Sequence, residues 1–294
     1  MADERPMPRV VITGSGGQLA AAIVDAYEGC ELLPYTRRQL DVSDADAVAA
    51  AIRDAAPDVI INCAAFNHVD RAEDEPEHAL AVNAFAVRAL ARAAAAVDAV
   101  LVHYSTDFVF DGTSDRPYTE EDRPNPQSVY AQSKLVGEWF AAAAPRSFIL
   151  RVESLFGGRV AKSSIDRIVD AIDGGREAKV FRDRTVSPSY VADVARATKA
   201  IVERGQPGLY HCVGTGYATW LDVAREIARL MGKAREARLD PISVDDVSFR
   251  APRPKFAALS NDKLQRVVPM PTWQDALRRY LTQPKLQSPA NGGS

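Results

Sequence analysis

Cysteine is scarce in this chain of 294 residues, which has three thiols in all. Cys30, Cys63 and Cys212 stand far apart, excluding a fully paired disulfide framework and any Cys-x-x-Cys metal knuckle. A reduced compartment is the simplest home. Long apolar runs are also lacking. No uninterrupted stretch of about 18 apolar residues occurs, because the alanine-rich segments carry Arg and Asp, and no membrane span is predicted. The start, Met1-Ala2-Asp3-Glu4-Arg5-Pro6, has neither the basic n-region nor the apolar h-region of a secretory signal, so a cytoplasmic location is expected. Neither sign of charge dominates: 36 Lys and Arg stand against 39 Asp and Glu, a net charge of −3. Without a basic run, nucleic acid and membrane lipid are not expected partners. The four histidines, His68, His78, His103 and His211, are scattered without ligand spacing, so no metal site is expected. His103, on a strand, is expected to be buried and hydrogen-bonded.

What is present is an ordinary globular composition, 47% hydrophobic and 26% charged, in a chain long enough for one large or two modest domains. The β-branched run Arg9–Thr13 ends in a glycine turn and leads into a helical pattern over 19–26. A strand over 31–35, a helix over 45–55, a strand over 58–62, a long alanine-rich helix over 76–96 and a strand over 100–104 follow. A turn-rich stretch, 111–128, precedes a helix over 129–144 and a strand over 147–151. Alternating strands and helices predict a doubly wound parallel sheet of the Rossmann type, class α/β. Beyond Gly157-Gly158 the rhythm loosens, with helices over 163–172, 191–203, 221–230 and 273–281 and a short strand over 208–211, which reads as a smaller interleaved α/β domain. From Pro284 onward Pro, Ser, Asn and Gly dominate, and a disordered tail is expected over 284–294.

The turn Gly14-Ser15-Gly16-Gly17-Gln18-Leu19-Ala20 has a G-x-x-G-x-x-A frame with Gly16 as an extra. Gly14 permits the tight turn out of the strand, Gly17 lets the backbone approach a pyrophosphate, and Ala20 lets the helix pack on the sheet. Amide groups at the helix start then hold the anion. At the end of the second strand, where an acid would meet a free 2′-hydroxyl, Tyr35-Thr36-Arg37-Arg38 stands instead. Either arginine suits a 2′-phosphate, so NADPH is preferred and NADH is the alternative. Both arginines also read as solvated residues at a helix start.

Tyr130 and Lys134 are four apart on a predicted helix, hence on one face. A cation nearby lowers a phenol toward the range useful for proton exchange, and such a Tyr can act as general acid toward a carbonyl oxygen. Ser105-Thr106-Asp107 follows a strand, at the carboxyl end of the expected sheet, where Thr106 can bond the same oxygen. A core Tyr with a snorkelling Lys and a plain strand-end turn are the competing reading. Trp220, opening a helix, reads as core, with a wall of the substrate site as the other reading. Asp193, near a helix start, reads as a local partner of the backbone or of neighbouring charge.

Together these residues resemble the extended short-chain dehydrogenase/reductase superfamily, and within it the dTDP-4-dehydrorhamnose reductase family. The similarity covers 10–281 and rests on 14–19, Leu40-Asp41-Val42, the run 62–73, Ser105-Thr106-Asp107-Phe108-Val109-Phe110-Asp111-Gly112, 130–138, 208–211, Arg253-Pro254 and Leu259-Ser260. The resemblance implies hydride transfer from NAD(P)H to the C4 ketone of a nucleotide-linked 6-deoxy-4-hexulose, foremost dTDP-4-dehydrorhamnose, in polysaccharide biosynthesis. Thr106, Tyr130 and Lys134 match the catalytic set. Gly14, Gly16, Gly17, Gln18, Leu19, Arg37, Asp41, Val42, Ala64, Ala65, Tyr104, Tyr130 and Lys134 are the expected cofactor contacts. Asn67, Thr106, Asp107 and Ser154 are the expected substrate contacts. Residues 1–155, completed by parts of 186–213, form the expected cofactor domain, and 156–283 mainly the substrate domain. A homodimer is the assembly kept open. Phe108 stands where sugar-nucleotide dehydratases have a Glu, which disfavours dehydration. A non-catalytic NADP-binding regulatory subunit resembling the methionine adenosyltransferase beta subunit shares fold and nucleotide site, and remains the alternative. The chain departs from the reductase pattern twice: Val152-Glu153-Ser154 replaces Thr-Ser-Trp, and Asp183-Arg184-Thr185-Val186-Ser187-Pro188-Ser189 replaces Asp-Gln-x-Gly-x-Pro-Thr.

Overall fold

Val10, Val11 and Ile12 are wholly buried in succession, the mark of a strand covered on both faces, and Arg9–Thr13 accordingly forms a central strand, β1. The computed structural model describes residues 7–159 and 163–282, so the tail expected over 284–294 lies outside the described residues. From β1 the chain runs through α1 (Gln18–Ala26), β2 (Glu31–Tyr35), α2 (Ala45–Ala55), β3 (Val59–Asn62), α3 (Val69–Asp74), α4 (Pro76–Leu80), a π-helical turn (Ala81–Phe85) and α5 (Ala86–Ala96). Next come β4 (Val100–Thr106), α6 (Val129–Ala141), β5 (Ser147–Val152), β6 (Leu155–Phe156), α7 (Ser164–Asp173), β7 (Ala178–Phe181), β8 (Thr185–Val186) and β9 (Ser189–Tyr190). The last elements are α8 (Val191–Arg204), β10 (Gly208–His211), β11 (Ala218–Thr219), α9 (Trp220–Leu230), β12 (Leu239–Ile242), α10 (Asp262–Gln265) and α11 (Trp273–Thr282).

Six strands lie side by side in the order β10-β5-β4-β3-β1-β2, every pairing parallel. Helices cover both faces. On one, Leu19 and Ile23 of α1 and Val194 and Ile201 of α8 pack on Ile12, Ile61 and Val102. On the other, Val48 and Ile52 of α2 and Val87 and Leu90 of α5 pack on Val11, Ile60 and Leu101. This is the doubly wound parallel sheet expected. The order reverses between β1 and β3, and loops that diverge at such a point leave a crevice at the carboxyl ends of the strands. Gly14 stands there with φ +68°, and a Cβ on it would lie 2.6 Å from the Ala64 nitrogen. Both the conformation and the crowding demand glycine.

The stretch 76–96 is not the single helix expected. It breaks at the π-turn, where buried Asn83 reaches sideways: its Oδ1 accepts from Phe66 N at 2.8 Å, and its Nδ2 donates to Phe66 O at 3.1 Å and Ser133 Oγ at 3.0 Å. This stretch is long and apolar enough to cross a membrane by length and composition, but half of its most apolar window is buried within the protein. Its hydrophobicity serves the core. Gly137 of α6 lets the π-turn come close, since a Cβ there would sit 2.2 Å from Asn83 O. The extra residue in the turn thereby fixes α6, and with it Tyr130 and Lys134, against the sheet.

A separate core gathers Phe156, Ile168, Trp220, Ile227, Trp273 and Leu277, beside the parallel pair β7 and β12. Trp220 is core, as expected. Asp193 interacts locally, with Arg196 at 3.1 Å, and also farther away, with Arg279 of α11 at 2.5 Å. His103 is buried with its Nδ1 3.1 Å from Asn62 Nδ2.

Candidate active site

The amino end of α1 opens on the switch-point crevice. Its N-cap is Gly17, no side chain satisfies its first amides, and its first turn carries no acid. A Cβ on Gly16 would meet nothing within 4 Å. Unpaired amides and the positive end of a helix dipole thus face open space, a fit for a dinucleotide pyrophosphate. Ser15 N donates to Tyr35 O at 3.0 Å, tying the turn to the end of β2. Gln18 does not face that space with its amide, which donates to Gly157 O at 2.6 Å, and the Leu19 side chain is in the core, so these two offer their backbone. Arg37 is 72% exposed and 3.6 Å from Asp41, whose carboxylate is held below its ordinary range chiefly by hydrogen bonds from Ser43. Val42 is buried behind Asp41, and Ala64 and Ala65 line the loop after β3. That loop is fixed by Asn62 Oδ1, which accepts from Thr13 Oγ1 at 2.7 Å and from Ala64 N at 3.1 Å.

Ser128 caps α6 through Ala131 N and sets where the helix begins, so Tyr130 lies in its first turn and Lys134 one turn on. Both are buried, 8% and 3% exposed. Thr106 ends β4 beside them, with its hydroxyl donating to Asp107 Oδ1 at 2.9 Å and near enough to act on the Tyr130 phenol. Burial pushes the Tyr130 phenol up, and only the Thr106 hydroxyl works against that. Burial lowers Lys134 to about 8, with Glu138 and Cys63 opposing. The expected lowering of Tyr130 by Lys134 does not arise here, because the ammonium is drawn to Tyr104 O at 2.6 Å. The Tyr104 ring is buried in the core with its hydroxyl 2.7 Å from Thr198 Oγ1, so only its carbonyl faces the site.

Around this centre the structure adds Phe108, Arg184, Arg253 and Glu153, which had no assigned role, to the expected Asp107. Phe108 stands edge-on to Tyr130 with ring centroids 5.6 Å apart, and Arg184 and Arg253 lie over Phe108 at 5.5 and 5.9 Å. Arg253 is anchored to Asp70 of α3 at 2.6 Å. Asp107 is buried beside Thr106, which donates to its Oδ1 at 2.9 Å, and burial raises its carboxyl to about 6. Glu153 is buried nearby; burial and Asp107 push its carboxyl well above the usual range. Asn67 is exposed on the loop before α3, and Ser154 adopts φ +44°, its carbonyl accepting from Ser189 N at 3.2 Å. The one sequence signal for Glu153 and Arg184 was their departure from a family pattern.

A tyrosine and a lysine one helical turn apart, packed at the carboxyl end of β4 beside a threonine and facing a glycine turn at the switch point, define a nicotinamide-dependent oxidoreductase of the extended short-chain dehydrogenase/reductase class. Within it, residues 8–285 match the RmlD substrate binding domain family, and the chain belongs to that family. It is 36% identical over 286 residues to a dTDP-4-dehydrorhamnose reductase of Sinorhizobium fredii, covering 93% of this chain and 96% of the relative. It is 38% identical to that of Mycobacterium tuberculosis, covering 94% and 93%. Among solved structures, a dTDP-4-dehydrorhamnose reductase of Bacillus anthracis in complex with NADP superposes with a TM-score of 0.88 at 30% identity, covering 94% of this chain and 99% of that one. The Clostridium acetobutylicum protein gives 0.87 at 33% identity, covering 93% and 98%.

Proposed function

We propose that the protein is an NADPH-dependent reductase that converts dTDP-4-dehydrorhamnose to dTDP-L-rhamnose. The observation that carries this is the buried hydroxyl pair of Thr106 and Tyr130 with Lys134 one turn on, in a chain whose relatives of similar length bear that activity in their names. The amides of Gly16, Gln18 and Leu19, at the entry to α1, would hold the pyrophosphate, while Arg37, Asp41, Val42, Ala64 and Ala65 would frame the adenosine end. Bound there, the dihydronicotinamide supplies the hydride for the C4 carbonyl. Thr106 and Tyr130 hold the carbonyl oxygen, and Tyr130 gives its proton as that oxygen becomes an alkoxide. A phenol kept protonated by burial suits this role, since the proton leaves only when a stronger base forms beside it. Lys134, bonded to Tyr104 O in the free protein, would hold a cofactor hydroxyl in its place. Phe108 offers no acid or base for dehydration. In this reading 1–155 with β10 serve the cofactor and 156–283 mainly serve the sugar.

The test is to mix purified protein with NADPH and dTDP-4-dehydrorhamnose and follow the loss of dihydronicotinamide absorbance and the formation of the 4-hydroxy sugar. Cofactor binding without consumption would overturn the reductase reading in favour of a regulatory subunit. Arg37→Ala is expected to weaken NADPH about tenfold, or ~1.4 kcal/mol, without a matching loss for NADH, because it removes a cation facing the 2′-phosphate. Thermal shift titrations with both cofactors measure it, and an unchanged preference assigns the phosphate to another group.

A further inference from the structure

Three of the five buried side-chain atoms that lack a hydrogen-bond partner among the described residues lie together beside the catalytic centre: Asp107 Oδ2, Glu153 Oε1 and Arg184 Nε. They come from the ends of β4 and β5 and from the turn before β8, so three separate segments converge on one place. Asp107 and Glu153 are 4% and 2% exposed. Each carboxylate spends one oxygen on the protein, Oδ1 of Asp107 on Thr106 Oγ1 at 2.9 Å and Oε2 of Glu153 on Ser187 N at 2.7 Å. The other oxygen of each is left over. A cluster built only for stability would close on itself, with Arg184 Nε on a carboxylate, because a buried unpaired polar atom costs free energy. Here it does not close, and the Arg184 guanidinium instead lies over Phe108, whose ring meets Tyr130.

We propose that Glu153 and Arg184, with Asp107, recognise the hydroxyl next to the reacting carbonyl of the sugar, and so set substrate specificity. This rests on the reductase reading above. Thr106 and Tyr130 fix the oxygen on C4, and Asp107 follows Thr106 directly. C4 has two ring neighbours: C3 carries a hydroxyl, whereas C5 carries an apolar methyl group that ionisable groups would not serve. A hydroxyl donates once and accepts twice, which matches an unpaired carboxylate oxygen on one side and a guanidinium N–H on the other. The two departures from the reductase pattern, at 153 and 184, thus meet in space as one recognition device.

Steady-state kinetics with the dTDP-linked 4-keto-6-deoxyhexose and its 3-deoxy analogue test this. The unmodified protein is expected to prefer the 3-hydroxyl sugar by on the order of 100-fold in kcat/KM, since a site built to bond a hydroxyl is left with unpaired buried groups by the analogue. In Glu153→Met and Arg184→Met the preference should fall below about tenfold, mainly through KM of the hydroxylated sugar, with NADPH affinity within about twofold by fluorescence. A preference unchanged in folded variants, or no preference in the unmodified protein, overturns the proposal. If neither sugar is turned over, the reductase reading fails instead. Calorimetric binding of dTDP-rhamnose against its 3-deoxy counterpart then decides the recognition device alone, with equal affinities overturning it.

Discussion

Tyr130→Phe is expected to lower kcat by roughly 100- to 10,000-fold, the usual contribution of a positioned general acid, while NADPH binds as before. The ring is buried against Phe108 and the apolar cluster of Phe66, Ala72 and Ala79, so removing one oxygen leaves its packing in place. What is lost is the proton delivered to the alkoxide. Thr106 Oγ1 keeps its bond to Asp107 Oδ1, so the strand end stays ordered in the variant. Thermal unfolding within a few degrees of the parent, together with the drop in kcat, would assign the loss to chemistry. Turnover near the parent rate would exclude Tyr130 as the proton source, and water or Asp107 would then have to supply the proton.

The cofactor half of the protein was legible in the sequence because its signals are local. A β-branched run, a glycine turn and an i, i+4 pair each report on a few consecutive residues, and the parallel sheet arranges their ends in one crevice whatever the loops do. Gly14 is such a case: its positive φ and its contact with Ala64 follow from the turn that the motif announces. Other features depend on pairs far apart in sequence. Asn83 breaks a long helical pattern because Phe66 needs its amide, and no periodicity records that need. Tyr104, expected at the cofactor, points its ring into the core because strand alternation sends it under α8, against Thr198, while its carbonyl turns to Lys134. Glu153 and Arg184 are 31 residues apart in number and meet only through the loops that join the two cores.

Removing Glu138 is expected to cost roughly 3–5 kcal/mol of stability, the penalty for leaving a buried charge unpaired. Glu138 and Arg151 are 6% and 2% exposed at the side chain and joined by two bonds of 2.7 and 2.8 Å, with Ser105 Oγ donating to the same carboxylate at 2.5 Å. Arg151 lies 4.9 Å over the Phe110 ring, and the neighbouring His211 is kept neutral, lowered to about 3 by burial and by Arg151 itself. Among the described residues, Glu138 is the one carboxylate bonded to the guanidinium. For a chain of this size the loss corresponds to a Tm drop on the order of 10 °C. Glu138→Ala should show that drop by calorimetry, and Glu138→Gln a smaller one, since the amide oxygen still accepts from Arg151. Glu138→Leu with Arg151→Met should recover most of it, because an apolar pair removes the stranded charge as well as the bridge. Full recovery of stability with turnover still depressed would mean that the pair does more than hold α6: it sets the register of the helix that carries Tyr130 and Lys134 against β4. A Glu138→Ala variant as stable as the parent would place solvent at Arg151 and refute the buried pair.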